Sequence, residues 1–127
     1  MNHLIDNAQR HLRIFLVEDN DDTREIVTRI LESDGHHVHA VSSVEAALRD
    51  FCGCDNDVLV SDIGLSDGSG LELMHALRDR GESPYAIALS GFGSPADKCE
   101  SAAAGFRHHL VKPFEFDDLD HLLRAVP

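Results

Sequence analysis

The chain has no tryptophan and a single tyrosine, and aromatic residues make up only 6% of its 127 positions. That scarcity suits an aliphatic core better than an aromatic binding groove, and the 43% apolar fraction is enough to fill such a core in one domain. Basic residues are also few. Eleven Lys and Arg face 23 acids, and the formal net charge of -12 makes direct nucleic-acid binding an unfavourable expectation through long-range repulsion. No stretch approaches the roughly 20 apolar residues of a membrane span. The opening Met1-Asn2-His3-Leu4-Ile5-Asp6 holds no apolar run of signal-peptide length, so a cytoplasmic protein without membrane contact is expected. Cysteine is sparse too: Cys52, Cys54 and Cys99 form an odd set with no CxxC and no zinc spacing, and buried small hydrophobes are expected in preference to a redox role. Histidine is the exception, with nine. His36, His37 and His39 cluster, and the last two would share a strand face, but no third ligand stands at a suitable spacing for a metal.

What is present is a repeated alternation. Residues 1–12 are polar and unpatterned, and a flexible lead-in is expected there, with one folded domain over residues 13–127. Ile14-Phe15-Leu16-Val17 reads as a strand that ends in Glu18-Asp19-Asn20-Asp21-Asp22, and Ile26, Val27, Ile30 and Leu31 then recur at helical spacing up to Ser33. Val38 to Val41 gives a second strand. Ser42-Ser43-Val44-Glu45 resembles a capping box for a helix whose apolar face is Val44, Ala47, Leu48 and Phe51. The run Val58-Leu59-Val60-Ser61-Asp62 suits an inner strand of a parallel sheet covered on both faces. After a flexible stretch from Gly64 to Gly70, Ser69-Gly70-Leu71-Glu72 caps a helix with Leu73, Met74 and Leu77 inward. Tyr85 to Leu89 is the fourth strand, ending at Ser90-Gly91. Ser94-Pro95 opens a helix whose inward face would offer only Ala96, Cys99 and Ala103, so it should be the least firmly held. A fifth strand, about Arg107 to Val111, precedes Lys112-Pro113 and a last helix carrying Phe116, Leu119, Leu123 and Val126. Five such units predict an α/β fold with a parallel sheet wrapped on both faces, with no linker, repeat or second domain.

Four of these strands end in chemically suggestive residues: Glu18-Asp19, Asp62, Ser90 and Lys112. In open α/β sheets the carboxyl ends of neighbouring strands converge on one crevice where ligands bind. Taken alone, Asp62 could equally cap a turn. Three carboxylates within about 5 Å would repel by roughly 3 kcal/mol per pair at an effective dielectric near 20, so something positive must join them. A hard divalent cation such as magnesium, with Lys112 beside it, meets that need. The set suits phosphoryl transfer, with Asp62 attacking phosphorus and the positive groups holding the equatorial oxygens.

The order Val17-Glu18-Asp19-Asn20, then Asp62-Ile63-Gly64-Leu65-Ser66-Asp67-Gly68-Ser69-Gly70, then Leu89-Ser90-Gly91, then Lys112-Pro113-Phe114 resembles the CheY-like receiver domains of two-component response regulators, over nearly the whole chain. The resemblance implies a flavodoxin-like (βα)5 three-layer sandwich with parallel strand order 2-1-3-4-5. It implies that Asp62 is the phosphoacceptor, loaded from a histidine kinase or histidine phosphotransfer protein. It places Mg2+ among Glu18, Asp19, Asp62 and the carbonyl of Gly64, assigns Ser90 and Lys112 to the phosphoryl group, and makes the Lys112-Pro113 bond cis. A downstream effector would read the surface of the fourth helix, fifth strand and fifth helix, and a homodimer is compatible with it. The protein would not be an enzyme in the turnover sense.

Some positions depart from the family pattern. Glu18 stands where aspartate is frequent, Ser90 where threonine is commoner, and Ser66 replaces a frequent proline, which predicts a looser loop after Asp62. His109 occupies the place of a switching aromatic; it is either a half-exposed strand residue or a ring that turns inward as Ser90 moves, in which case the switch would also sense pH. Gly64 and Phe92 are candidates for controlling water access to the phosphoryl group, unless they serve loop geometry alone. A degenerate receiver used only for docking is the alternative reading. A haloacid-dehalogenase-like phosphatase is disfavoured because its second aspartate, two residues after the nucleophile, is here Gly64. The run Gly105 to Leu110 looks like receivers of hybrid kinases, which leaves open a stand-alone regulator, a phosphate shuttle or a domain of a longer chain.

Overall fold

The computed structural model describes residues 11–91, 93 and 95–127. In chain order the elements are β1 (Arg13–Val17), α1 (Asp21–Ser33), β2 (His37–Val41), α2 (Val44–Asp50), β3 (Val58–Asp62), β4 (Gly64–Leu65), β5 (Gly68–Ser69), α3 (Gly70–Asp79), β6 (Ala86–Ser90), α4 (Pro95–Ala104), β7 (His108–Val111) and α5 (Phe116–Arg124). Five strands form a parallel sheet in the order β2-β1-β3-β6-β7. The two-residue strands β4 and β5 make a separate antiparallel ladder, so β6 and β7 are the fourth and fifth strands of the main sheet. This is the flavodoxin-like order expected from the sequence.

The inner strands explain the layers. Every residue of β3 and β6 is buried, as strands covered on both faces must be. Alternate side chains then enter two cores. Phe15, Val17, Leu59, Ala86 and Ala88 pack with Ala47 of α2, with Leu73, Met74 and Leu77 of α3 and with Ala104 of α4. On the opposite face, Ile14, Leu16, Val60, Ile87 and Leu89 meet Val27 and Leu31 of α1 and Leu119 and Leu123 of α5. Leu12 already belongs to the fold: it is buried, its N–H donates to His36 Nδ1 at 3.0 Å and its carbonyl accepts from His37 at 2.8 Å.

Local expectations fare unevenly. Ser69 caps α3 as anticipated, its hydroxyl accepting from the Glu72 N–H. The α2 cap is Ser43, one residue later than the Ser42 reading, and its hydroxyl accepts from the Ala46 N–H at 3.0 Å. On α1, Ile26 is 53% exposed although its spacing placed it inward, and the buried positions of the helix are Val27 and Leu31. On α4 the phase was misread: Ala96, Cys99 and Ala103 are exposed, and Ser101 and Ala104 are buried. The Ser94 cap and Phe92 lie outside the described residues.

Candidate functional site

Register builds the site. Val17 pairs with Ser61, Asp62 with Leu89, Leu89 with Leu110, and Ser90 with Val111. The first residue past β1, Glu18, therefore arrives beside the last residue of β3, and Lys112 one step past β7 arrives beside both. The Lys112 N–H donates to the Ser90 carbonyl at 2.7 Å, which fixes the lysine and the serine together. The Lys112-Pro113 bond is cis, as the resemblance implied.

The side chains converge. Lys112 Nζ lies 2.6 Å from Asp62 Oδ1 and 2.9 Å from Glu18 Oε1, and one oxygen from each of Glu18, Asp19 and Asp62 falls within 4.8 Å of the others. Glu18 and Asp62 are buried, at 1% and 4% exposure, whereas Asp19 is half-buried. Burial of the Asp62 carboxyl, followed by its hydrogen bond with Glu18 and the charge of that neighbour, pushes it up to about 8, and Lys112 only partly opposes this. Burial also pushes Glu18 upward, but hydrogen bonds from Asp62, Lys112 and the Asn20 N–H outweigh it and hold Glu18 below its ordinary value. Burial and repulsion between the two acids thus favour a proton held within the pair. Lys112 is lowered by burial and raised further by its two acidic partners, so it stays an ammonium. Asp62 Oδ1 is buried, with the Lys112 ammonium 2.6 Å away. An all-oxygen set with one such oxygen fits a hard divalent cation.

The loop after Asp62 carries hydrogen bonds of its own. Gly64 pairs with Ser69 and Leu65 with Gly68, and the Asp67 carboxylate accepts from the N–H groups of Val44 (2.9 Å) and Glu45 (3.1 Å) at the start of α2. Those two bonds hold the Asp67 carboxyl below its usual range. Gly70 N donates to the Ile63 carbonyl at 2.7 Å, and a Cβ at Gly70 would collide with the Asp62 carbonyl. Gly64 is exposed, and a Cβ there would meet nothing within 4 Å, so the approach to Asp62 on that side is open.

Beside the acids lies a cavity of about 230 Å³, lined among others by Asp62, Gly64, Ser90, Ser101, His109 and Lys112. His109 faces it, with its Nε2 2.7 Å from Ser90 Oγ and its Nδ1 2.9 Å from Ser101 Oγ. Sequence reasoning missed Ser101 and Asp67. A lone serine on an alanine-rich helix was the available signal for the first; the second caps a helix more than 20 residues earlier in the chain, and no local pattern marks that.

Other candidates are not brought here. Cys52 is half-buried and Cys54 and Cys99 are exposed, against the expectation of buried thiols. Cys52 and Cys54 sit with Asp55 on the turn that precedes β3, at the far end of the sheet from Asp62. His37 and His39 do share the exposed face of β2, but His36 is buried and accepts from the Leu12 N–H, and the three do not converge.

A family model, the response regulator receiver domain, matches residues 14–124. The chain belongs to that family, the receiving part of two-component systems. It is 36% identical over 115 residues to the two-component response regulator PhoP of Pseudomonas aeruginosa, covering 91% of this chain and 51% of that protein. It is 32% identical over 113 residues to the KDP operon transcriptional regulatory protein KdpE of Escherichia coli, covering 89% and 50%. The chain thus spans about half the length of these curated relatives. Among solved structures it is similar to the response regulator TrrA of Thermotoga maritima in complex with Mg2+ and beryllium fluoride, with TM-score 0.79, 26% identity and coverage of 91% and 99%. It is also similar to the chemotaxis protein CheY4 of Vibrio cholerae, with TM-score 0.80, 25% identity and coverage of 93% and 100%. Among the described residues no helix is long and apolar enough to cross a membrane.

Proposed function

We propose that Asp62 accepts a phosphoryl group from the phosphohistidine of a kinase or phosphotransfer protein, and that the loaded domain is read by a downstream effector. The observation that carries this reading is a buried Asp62 carboxyl at the end of β3, with the Lys112 ammonium 2.6 Å from its Oδ1 and two further acids beside it. Glu18, Asp19, Asp62 and the Gly64 carbonyl would hold Mg2+, which when bound supplies positive charge to the phosphoryl oxygens. Asp62 gives up its proton before reacting. One of its oxygens then forms a bond to phosphorus as the bond from phosphorus to the donor imidazole breaks, and that electron pair leaves with the ring nitrogen. Lys112 neutralises charge on the transferred oxygens, and the Ser90 hydroxyl donates to one of them.

The phosphoryl group adds about -1.5 to -2 charge and three acceptor oxygens, which draws Ser90 and Lys112 toward it. Ser90 and Lys112 end β6 and follow β7, so the surface that responds is α4, β7 and α5. Stable loading and slow release, not turnover of a substrate, are the working cycle. The net charge of -12 argues that any contact with DNA belongs to another domain or protein.

Incubation with acetyl phosphate and Mg2+ tests the reading. The wild-type protein is expected to gain one phosphoryl mass and Asp62→Asn none. Equal incorporation in both, or none in either, rejects Asp62 as the acceptor.

A further inference from the structure

We propose that the turn over residues 52–55, which joins α2 to β3, is a metal site for a thiophilic divalent cation of the zinc class, separate from the acids around Asp62. It does not depend on the reading of Asp62 as the acceptor. One ligand atom from each of Cys52, Cys54 and Asp55 lies within 4.8 Å of the others, and Cys54 Sγ is 3.9 Å from Asp55 Oδ1. Both cysteines are free thiols. Around a tetrahedral zinc, bonds of about 2.3 Å to sulfur and about 2.0–2.2 Å to oxygen set the donor atoms roughly 3.5–3.8 Å apart. The three donors are thus within a side-chain rotation of a binding arrangement. The five residues of β3, a rise of roughly 13 Å, lie between this turn and Asp62.

The backbone holds the donors in place. The Asp55 N–H donates to the Cys52 carbonyl at 3.1 Å, which closes the turn, and Asn56 Nδ2 donates to the same carbonyl at 2.9 Å. The Gly53 N–H donates to Glu82 Oε1 at 2.7 Å, and a Cβ on Gly53 would stand 2.8 Å from that oxygen, so the residue between the two cysteines must be small. Arg13, at the start of β1, donates from Nη1 to the Cys54 carbonyl at 3.3 Å. These bonds tie the turn to β1 and to the segment after α3 while engaging neither sulfur nor the Asp55 carboxylate. Folding has therefore already ordered the loop, and an ion need fix only three short side chains.

Donor type selects the ion. Two thiolates favour a borderline or soft cation, whereas the oxygen set at Asp62 favours a hard one, so the two ends of the sheet sort metals by softness. Binding forms two metal–sulfur bonds and one metal–oxygen bond, releases the two thiol protons to water and moves no electron. Cys54 and Asp55 are exposed, and Cys54 lines an open cleft of about 400 Å³ with Glu82 and Tyr85, so water completes the fourth position. Three protein ligands on an exposed turn describe an exchangeable ion and not one that holds the fold together. A redox role for the pair is the weaker reading. The Cys54 thiol is held above its ordinary value, first by its hydrogen bond with Cys52 and then by the Asp55 charge, the reverse of the lowered value that marks a thiol poised to attack.

Titration of the fully reduced protein with Co2+ in excess Mg2+ tests the site, because thiolate ligands give a sulfur-to-cobalt charge-transfer absorption in the near ultraviolet that the oxygens around Asp62 cannot. The absorption should saturate at one equivalent and be bleached by Zn2+. Cys52→Ser and Cys54→Ser should each lower it by half or more. Asp55→Asn should keep it but bind about tenfold or more weakly, at least what loss of a supporting group costs a metal site. Cys99→Ser should match the wild type. A second readout needs no variant: Zn2+ should slow alkylation of Cys52 and Cys54 by iodoacetamide and leave Cys99 as reactive as before, read by peptide mass spectrometry. Absence of a thiolate absorption at one equivalent, its loss in Cys99→Ser, or Zn2+ protection that is missing or shared equally by Cys99 overturns the inference. None of these readouts involves phosphorylation, so failure here leaves the acceptor reading standing, and failure of Asp62 to load leaves this one.

Discussion

Asp62 sits in a place that makes its charged form costly. Burial and the adjoining Glu18 push its carboxyl up to about 8, so near pH 7 the metal-free site carries a proton that a cation must displace. The sign follows directly: ionisation is required for binding, so Mg2+ affinity rises with pH up to about 8 and levels off above it. Between about pH 6 and 7.5 the affinity should climb close to tenfold per pH unit, with about one proton released per ion bound. Calorimetry in buffers of different ionisation enthalpy measures that proton. Asp62→Asn should bind the ion weakly and release none; a wild-type affinity independent of pH would contradict the protonated pair.

At the scale of elements, the site is held by the junction between β3 and α3. The helix begins with the Gly70 N–H donating to the Ile63 carbonyl, and only glycine fits there against the Asp62 carbonyl. Alanine there would gain helix propensity of at most about 1 kcal/mol. Against that stands a clash with backbone that cannot rotate away, a class of overpacking that costs about 1–3 kcal/mol. Gly70→Ala is therefore expected to lower stability by about 1–2 kcal/mol in denaturant titration and to weaken Mg2+ binding, because the displaced segment carries Gly64. Gain of stability would show that the junction yields. The elements themselves were legible in the sequence, because apolar runs bounded by acids, serine or lysine mark strands whose ends face one crevice. The phase of α4 was not. Its inward positions 97, 101 and 104 form one helical face, yet that face holds aspartate and serine because it borders the cavity and His109, so an apolar criterion selected Ala96, Cys99 and Ala103 instead. Equally hidden was the bond from Asp67 to α2, since nothing in a loop sequence announces which distant helix it will cap.

For the molecule as a whole, acid pulls stability in opposite directions. With a formal charge of -12, protonation relieves self-repulsion. Asp62 acts the same way: its folded value is raised, so its contribution is present in full below the unfolded carboxyl range near 3.9 and is lost as pH climbs through about 8. His36 opposes both. Burial lowers its pKa, and its Nδ1 must stay bare to accept the Leu12 N–H that ties the entry of β1 to the segment before β2. For a base with a depressed folded value, the contribution is present above the unfolded value near 6.5 and disappears as pH falls below it. Metal-free protein should thus gain stability from pH 8 toward 6.5, then flatten or turn downward below about 6 as His36 takes up a proton. His36→Asn separates the terms, because an amide oxygen can accept the same N–H without titrating. Its melting temperature should keep rising below pH 6 where the wild type levels off. If the two proteins follow parallel curves from pH 8 to 5, the His36 bond is not what limits the fold in acid.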